Sequence, residues 1–368
     1  MSKIKSFVKN EIVLIISFVL AAISAFIVKP SAEYLGYIDF RTLALLLCLM
    51  AVMAGFNKLG IFRILATKLL KFTSDSRSLC LVLSLLCFFS SMIITNDVAL
   101  ITFVPFSIII LNISKKPNLL IPLVTLGTVA ANLGSMLTPI GNPQNLYLFS
   151  AFEMKITDFF KILLPYAVLS LVLTAVSSFF IKKEKLEFKT ESEADGINLK
   201  LCIIYAVLFA VALLTVFRAI NYLAALAVSV IAILIFDRKT LAKVDYSLLL
   251  TFTFLFIFIG NLKNIAPVSD FLRSVVDGNE VLVGVASSQI FSNVPAALLL
   301  SGFTKNVADL LIGVNLGGLG TLIASMASLI SFKYVVKENV PSGKYVAIFS
   351  AVNVVYLAFN LALWAMIK

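Results

Sequence analysis

Apolar runs long enough to cross a lipid bilayer recur along the whole of this 368-residue chain. A helix needs about 20 apolar residues to span a hydrocarbon layer of about 30 Å. Hydrophobic residues make up 61% of the sequence and charged residues 13%, whereas soluble domains are about half apolar and a quarter charged. The clearest runs are residues 14–28, 43–56, 162–181, 201–217, 223–236, 248–259 and 345–367. This pattern predicts an all-α polytopic membrane protein.

The chain has a net charge of +11, and its basic residues flank the apolar runs. Their positions indicate how the chain is oriented in the membrane rather than nucleic-acid binding. With a cytoplasmic N-terminus, 21 of the 30 Lys and Arg lie on the cytoplasmic side. That split requires nine spans and two apolar segments that enter and leave on the same side. We therefore predict a multi-pass protein of the cell (inner or plasma) membrane, with its N-terminus in the cytoplasm and the lipid bilayer as its surroundings.

The order of motifs in the first half of the chain returns in the second half. An acidic residue opens an apolar helix at Asp39 and again at Asp245. A broken apolar run follows in each half, and then a glycine-rich stretch, residues 127–138 and 313–324. One extra span, residues 201–217, separates the copies, so the second copy is expected to be inverted. Inverted repeats with interrupted helices are the layout of secondary transporters.

This repeat divides the chain into an N-terminal half, residues 1–200, and a C-terminal half, residues 201–368. In the first half, residues from about 78 to 112 are predicted to form a re-entrant hairpin that enters from the cytoplasm. In the second half, residues from about 280 to 303 are predicted to form the opposed hairpin, which enters from outside. The basic residues beside the first hairpin and their scarcity beside the second motivate these two directions.

Polar residues, glycine and proline interrupt the apolar helices at four breaks, which in chain order are residues 95–97, 138–145, 292–295 and 324–328. Backbone N–H and C=O groups at membrane depth must form hydrogen bonds within the protein. Such breaks are therefore tolerated only where they surround a cavity or a binding site. Helix N-termini suit anions, and free carbonyls with Ser, Thr and Asn oxygens suit a cation such as Na⁺. The candidate substrate- and ion-binding residues are Thr95, Asn96, Asp97, Thr138, Pro139, Gly141, Asn142, Pro143, Asn145, Ser292, Asn293, Pro295, Thr321, Ala324, Ser325 and Ser328.

Two of these sets supply oxygens for Na⁺, one from each half. The first set is Asn96, Thr138 and Asn142, and the second is Ser292, Asn293 and Ser325. A proton is the alternative coupling ion, and no other cofactor is expected.

Asp97 is the only acid that the topology places at membrane depth, and it has two interpretations. It can take part in ion coupling, because intramembrane carboxylates mark ion or proton paths. It can instead be the N-cap of the helix that begins there.

The sequence contains no histidine, so it has no Ser–His dyad and no His-ligated zinc site. It also lacks the phosphate-binding P-loop motif. A transporter is therefore favoured over an enzyme, although an enzyme that uses only carboxylates is left open. A channel is also left open, but paired inverted breaks favour alternating access over a permanent pore.

Four motifs resemble those of the ion-transporter superfamily: TNDVAL, GSMLTPIGNPQN, SNVP and GGLGTLIASMASLI. This superfamily includes citrate–metal transporters, divalent-anion:sodium symporters, arsenite efflux permeases and one group of Na⁺/H⁺ antiporters. The resemblance covers nearly all of the chain after its first helix. It implies a transporter fold with substrate and ions at the hairpin tips, and it also implies a homodimer.

The dicarboxylate branch of this superfamily carries a Ser-Asn-Thr triplet at each tip, which binds Na⁺ and substrate carboxylates. The corresponding triplets here are Thr95-Asn96-Asp97 and Ser292-Asn293-Val294. The third position departs from that pattern in both copies, and the Asn-Asp pair is more similar to the arsenite and Na⁺/H⁺ branches. We expect a secondary active transporter of a small anion or oxyanion, coupled to Na⁺ or H⁺. The alternative is an arsenite efflux permease or a Na⁺/H⁺ antiporter-like exchanger.

Overall fold

The computed structural model describes residues 11–70, 73–185, 198–338 and 340–368. Lys3, Lys5 and Lys9, which are among the Lys and Arg predicted to be cytoplasmic, lie outside these ranges, as do residues 186–197 of the segment 182–200 that is also predicted to be cytoplasmic. Within them the chain forms helices and turns, with an isolated bridge between Asp75 and Lys185 as the one β-type pairing. The all-α prediction is confirmed.

The described helices before residue 186 belong to the first predicted half. They are α1 (Ile12–Ile27), α2 (Glu33–Tyr37), α3 (Phe40–Lys58), α4 (Ile61–Leu70), α5 (Ser76–Ile94), α6 (Asn96–Ile113), α7 (Leu120–Ser135), α8 (Pro143–Ala151) and α9 (Ile156–Phe179).

The described helices after residue 197 belong to the second predicted half, apart from the start of α10. They are α10 (Leu199–Val216), α11 (Tyr222–Asp237), α12 (Tyr246–Lys263), α13 (Ala266–Val276), α14 (Glu280–Phe291), α15 (Asn293–Ser301), α16 (Val307–Leu316), α17 (Met326–Val336) and α18 (Ser342–Ile367).

Eight helical segments in the described ranges are long and apolar enough to cross a membrane. They are α3, α5, α6, α9, α10, α12, α18 and the segment Pro117–Ser135, which contains α7. A polytopic helical membrane protein is thereby confirmed. The eight include both arms of the first predicted hairpin, whereas α1 and α11 have 16 residues each. Helix length therefore does not test the nine-span topology or the re-entry of the hairpins, which stay predictions.

The two predicted hairpins are pairs of helices that pack against each other beside a one-residue junction. Helices α5 and α6 meet at Thr95, and helices α14 and α15 meet at Ser292. The arms of the first pair have 19 and 18 residues, and those of the second have 12 and 9. The breaks therefore fall where the polar triplets interrupt the apolar runs.

The helices that open each half begin with the same cap. Asp39 Oδ1 accepts a hydrogen bond from the Thr42 N–H at 3.0 Å, and Asp245 Oδ1 accepts one from the Leu248 N–H at 3.0 Å. Their backbone angles also agree, with φ/ψ of −80°/85° at Asp39 and −78°/85° at Asp245. An aspartate at this position satisfies an N–H that has no partner inside the helix.

A capping box begins α5, and an ion pair between Asp75 and Lys183 connects this end of the helix to the segment after α9. Asp75 accepts hydrogen bonds from the N–H groups of Arg77 and Ser78 at 2.9 and 3.0 Å. The Ser78 N–H, with help from the Lys183 ammonium, holds the pKa of the Asp75 carboxyl below its usual value. These contacts fix one polar end of α5, at the face predicted to be cytoplasmic.

The glycine-rich stretches form the buried centre of the molecule, as α7 and α16. Helix α7 packs against α5, α6, α9, α17 and α18, and almost all of its side chains are buried. A Cβ on Gly134 would lie 2.1 Å from the Phe88 carbonyl oxygen, so only glycine allows α7 this close to α5. Helix α16 approaches α14 in the same way through Gly313.

Candidate functional site

Thr95 and Ser292 adopt almost the same strained backbone conformation. Their φ/ψ angles are 72°/153° and 71°/154°, a region that is otherwise populated by glycine. Each residue joins two helices, and the two junctions lie at equivalent places in the predicted copies. Such strain persists where the surrounding structure holds it, and it marks functional sites more often than ordinary turns.

Thr95 rather than Asp97 caps the helix that follows the first junction. The Thr95 hydroxyl lies 3.5 Å from the Val98 nitrogen, and Asp97 is already inside the first turn of α6. The interpretation of Asp97 as the N-cap was therefore wrong. Its backbone N–H donates to Asn96 Oδ1 at 3.0 Å, while its own Oδ1 is buried and has no hydrogen-bond partner.

The second break lies between α7 and α8 and packs directly on the first. The Gly141 carbonyl accepts a hydrogen bond from the Asn96 N–H at 3.1 Å. A Cβ on Gly141 would lie 2.0 Å from the Ser135 carbonyl oxygen, so the turn requires glycine. Asn142 then caps α8 by accepting from the Asn145 N–H at 2.9 Å, and Pro143 occupies the first helical position.

The fourth break, between α16 and α17, has the same outline with fewer polar contacts. Ser325 precedes α17 in an extended conformation, with φ/ψ of −144°/137°, as Asn142 precedes α8 with −156°/158°. The Thr321 N–H donates to Gln289 Oε1 at 3.0 Å, and Thr321 itself is exposed.

A small central cavity of about 10 Å³ lies where the four breaks meet. A volume of this size is about that needed for one water molecule. Its lining residues come from both halves of the chain: Asn96, Asp97, Pro143, Gln144, Leu248, Asn293, Val294, Ser325 and Met326. The structure therefore brings together candidates from every predicted break.

Four helix N-termini converge on this cavity. The first residues of α6, α8, α15 and α17 all lie in its lining. Each helix N-terminus carries a partial positive charge of about half an elementary charge. The Asp97 carboxylate is the one acidic group in the lining. The cavity thus combines positive helix ends with a single negative side chain.

Several predicted residues shape the breaks without lining the central cavity. Thr138 bonds the Met92 carbonyl through its hydroxyl. The others outside the lining are Thr95, Pro139, Gly141, Asn142, Asn145, Ser292, Pro295, Thr321, Ala324 and Ser328. The predicted Na⁺ sets are accordingly divided: Asn96, Asn293 and Ser325 line the cavity, and their predicted companions do not.

Gln144 lines the cavity although it was not among the candidate residues predicted from the sequence. It is 1% exposed, and its Oε1 has no hydrogen-bond partner. Asp97 Oδ1 is in the same condition, so two unpaired acceptors border one cavity. They would complement a cation, a proton or a ligand with O–H groups. The signal available in the sequence was the position of Gln144 between the candidates Pro143 and Asn145.

Two further asparagines, Asn132 and Asn315, connect the breaks to each other. Asn132 Oδ1 accepts hydrogen bonds from Asn96 Nδ2 at 3.0 Å and from Ser325 Oγ at 3.2 Å. Asn315 Oδ1 accepts from Asn142 Nδ2 at 3.2 Å. Both asparagines lie in the repeated glycine-rich stretches, but neither was among the candidate residues predicted from the sequence.

In the described part of the chain no three His, Cys, Asp or Glu side chains cluster as a metal site. A cation in the central cavity would therefore have carboxamide and hydroxyl oxygens as neighbours, together with the Asp97 carboxylate. Oxygen ligands of this kind suit hard cations.

Known proteins resemble this chain over most of its length. A profile of the family described as citrate transporter matches residues 7–331. The uncharacterized transporter MJ0456 of Methanocaldococcus jannaschii is 36% identical over 337 residues, which are 90% of each chain. Inner membrane protein YbiR of Escherichia coli is 28% identical over 320 residues, 84% of each chain. The putative transporter arsB of Dictyostelium discoideum is 28% identical over 163 residues, 44% of this chain and 28% of that protein.

These relatives confirm the resemblance to the ion-transporter superfamily, and they confirm a transporter rather than an enzyme. The profile covers the two strained junctions, the four breaks and the central cavity. The protein is a multi-pass membrane transporter, and it belongs to the citrate transporter family.

Proposed function

We propose that the protein is a secondary active transporter that moves a small anion or oxyanion through the central cavity by alternating access. The convergence of four helix N-termini on one buried cavity is the observation that carries this proposal. Backbone N–H groups and helix dipoles at such ends favour anions. Because membrane lipid excludes water and salt, the electric field of these helix ends is screened less than it would be at a protein surface.

The second part of the proposal is that transport is coupled to Na⁺ or H⁺ and that Asp97 binds the coupling ion. A lone intramembrane carboxylate is costly unless a cation or a proton accompanies it. The unpaired Gln144 Oε1 in the same lining offers a second acceptor for that ion. The anion would thus be attracted by the helix ends, and the coupling ion by the two side-chain oxygens.

An arsenite permease is the alternative, favoured by the same two acceptors. Arsenite is a neutral trihydroxy acid at neutral pH, so its O–H groups can donate to Asp97 Oδ1 and Gln144 Oε1. The relative whose name includes arsB matches 44% of this chain. An exchanger of Na⁺ for H⁺ would use the same acceptors without an anion.

The proposal also includes the inverted repeat, the opposed hairpins, a cell-membrane location and a cytoplasmic N-terminus. Matching backbone angles at Thr95 and Ser292 support an internal repeat. Matching helix caps at Asp39 and Asp245 support it as well. A homodimer is implied by the resemblance to the superfamily.

Transport by purified protein in proteoliposomes tests this function. The substrates are citrate, shorter carboxylates, phosphate, sulfate and arsenite, each with and without an imposed Na⁺ or pH gradient. We expect one class of anion to accumulate above its equilibrium level only when a gradient is present. Flux that persists unchanged after both gradients are collapsed would indicate a channel.

A further inference from the structure

Two cavities lie one after the other along the same pair of helices. On α8, Gln144 lines the central cavity, while Tyr147 and Ala151 line a second cavity of about 310 Å³. On α12, Leu248 lines the central cavity and Phe256 lines the second one. Residues three, four, seven or eight apart lie on one face of a helix. Both cavities therefore border one face of α8 and one face of α12.

The second cavity is an open vestibule of a size that admits a small solute. Small-molecule pockets begin at about 300 Å³. Its rim includes Gly36, Ala151, Lys263 and Asn264, which are all exposed, and the Asp39 carboxylate. These polar groups make the vestibule wettable. In the proposed orientation it lies on the external face.

Three aromatic rings cluster on α8 and α12 between the residues that line the central cavity and those that line the outer part of the vestibule. The ring of Tyr147 is 6.3 Å from that of Phe252 and 5.6 Å from that of Phe256, measured between ring centres. Phe252 is 0% exposed and lines neither cavity. It lies one helical turn from Leu248, or about 6 Å along the axis of α12. Phe252 therefore lies along α12 between Leu248 of the central cavity and Phe256 of the vestibule.

The Tyr147 ring is also connected to the second half of the central site. Its hydroxyl lies 2.8 Å from Ser301 Oγ, at the end of α15. The other end of α15 begins with Asn293, which lines the central cavity. A shift of α15 would therefore act on the ring and on the central cavity at the same time.

We propose that the vestibule is the external entrance to the transport site and that Tyr147 and Phe252 form the barrier across it. Displacement of these rings would join the vestibule to the central cavity and admit the anion. The inference rests on the proposed function for the location of the transport site. It adds to that function the route by which the substrate enters, the side of the membrane from which it enters, and the two residues that block the route.

Cysteine accessibility tests the barrier without any need for transport. Leu248→Cys reports on the central cavity and Gly36→Cys on the vestibule rim, where an added Cβ meets no neighbour. Both are placed in protein whose four native cysteines are replaced, within sealed vesicles. The reagent is a membrane-impermeant cationic methanethiosulfonate, added to the outside or the inside. Barrier variants are Tyr147→Ala and Phe252→Leu, and Tyr147→Phe is the matched control that keeps the ring.

We expect Leu248→Cys to react slowly from outside in the parent protein and about tenfold faster from outside in Tyr147→Ala, because loss of the ring opens the barrier locally. Phe252→Leu should accelerate the reaction in the same direction, and Tyr147→Phe should leave it nearly unchanged. Gly36→Cys should react rapidly from outside in every background, which verifies the orientation of the protein in the vesicles. The proposal is overturned if Tyr147→Ala and Phe252→Leu leave the rate unchanged, or raise it only from the inside. A protein without coupled anion flux that still shows this pattern would refute the proposed function and leave the barrier standing.

Discussion

Asn132 and Asn315 each hydrogen-bond the broken segment of the opposite half of the chain. Asn132 Oδ1 accepts from Ser325 Oγ at 3.2 Å, and Asn315 Nδ2 donates to Asn145 Oδ1 at 2.7 Å. Both asparagines are followed by leucine and glycine in their glycine-rich helices. The two contacts are thus reciprocal, and a displacement of one half would be felt at the binding segment of the other.

Removal of the carboxamide of Asn132 or of Asn315 should lower both the free energy of unfolding and the rate of transport. In Asn132→Ala and Asn315→Ala, buried partners lose their hydrogen bonds, at a cost of about 1–3 kcal/mol for each group left unpaired. Thermal unfolding in detergent and proteoliposome flux provide the measurements. Asn353→Ala is the matched control, because Asn353 is equally buried but donates within its own helix to the Phe349 carbonyl. Equal loss of transport in all three variants would show that the crossed contacts have no special role.

Asn96→Ala and Asn293→Ala should each abolish or strongly reduce transport in protein that still folds. Both carboxamides line the central cavity, and each offers one acceptor oxygen and two N–H donors. Asn221→Ala is the control: it removes an asparagine that caps α11, where its Oδ1 accepts from the Leu223 N–H at 2.8 Å. Normal transport by Asn293→Ala with unchanged ion dependence would contradict a site built from both halves.

Asp97→Asn should lose the dependence of transport on pH or Na⁺, or stop transport. The variant keeps the size of the side chain but cannot ionise, and Thr95 still caps α6. Flux is measured over a range of pH and Na⁺ concentration, with Thr95→Ser as a control that retains the capping hydroxyl. If Asp97→Asn matched the parent in rate, pH profile and Na⁺ response, Asp97 would have no part in coupling.

Ser292→Gly should stabilise the fold while it impairs transport. Glycine relieves backbone strain of about 1–3 kcal/mol at this junction and loses about 0.5–1 kcal/mol through its greater freedom in the unfolded chain. The net expected gain is about 1 kcal/mol, seen as a higher unfolding temperature. Ser274→Gly, at an exposed position inside α13, should show the opposite sign. A decrease in both variants would mean that the φ of 71° at Ser292 carries no strain.

Ser74 and Gly278 should lie on opposite sides of the membrane. The basic residues near α5 and their scarcity near α14 predict a cytoplasmic Ser74 and an external Gly278. Both positions are exposed, and an added Cβ at Gly278 meets no neighbouring atom. Single cysteines there, in a cysteine-free background, should react with an impermeant thiol reagent from opposite faces. Labelling from one face would disprove the inverted arrangement.

Local signals in the sequence were sufficient for the helices and for their interruptions. Asp39 and Asp245 begin helices because a carboxylate beside the first free N–H groups is a short-range interaction. The breaks beside Thr95 and Ser292 were also visible, since polar residues interrupt long apolar runs there. Thr95 and Asp97 are both good N-cap residues, so the sequence left a capping role open for Asp97, and the backbone angles place the cap of α6 at Thr95.

The residues that line the central cavity could be identified only from the tertiary structure. In a membrane protein, faces that contact lipid and faces that contact other helices are both apolar, so periodicity does not show which face is inside. Gln144 could be placed at the cavity only once α8 was packed against its neighbours. The contacts from Asn132 to Ser325 and from Asn315 to Asn142 join residues that are 193 and 173 positions apart. Local sequence determined where each helix ends, and long-range packing decided which of those ends meet.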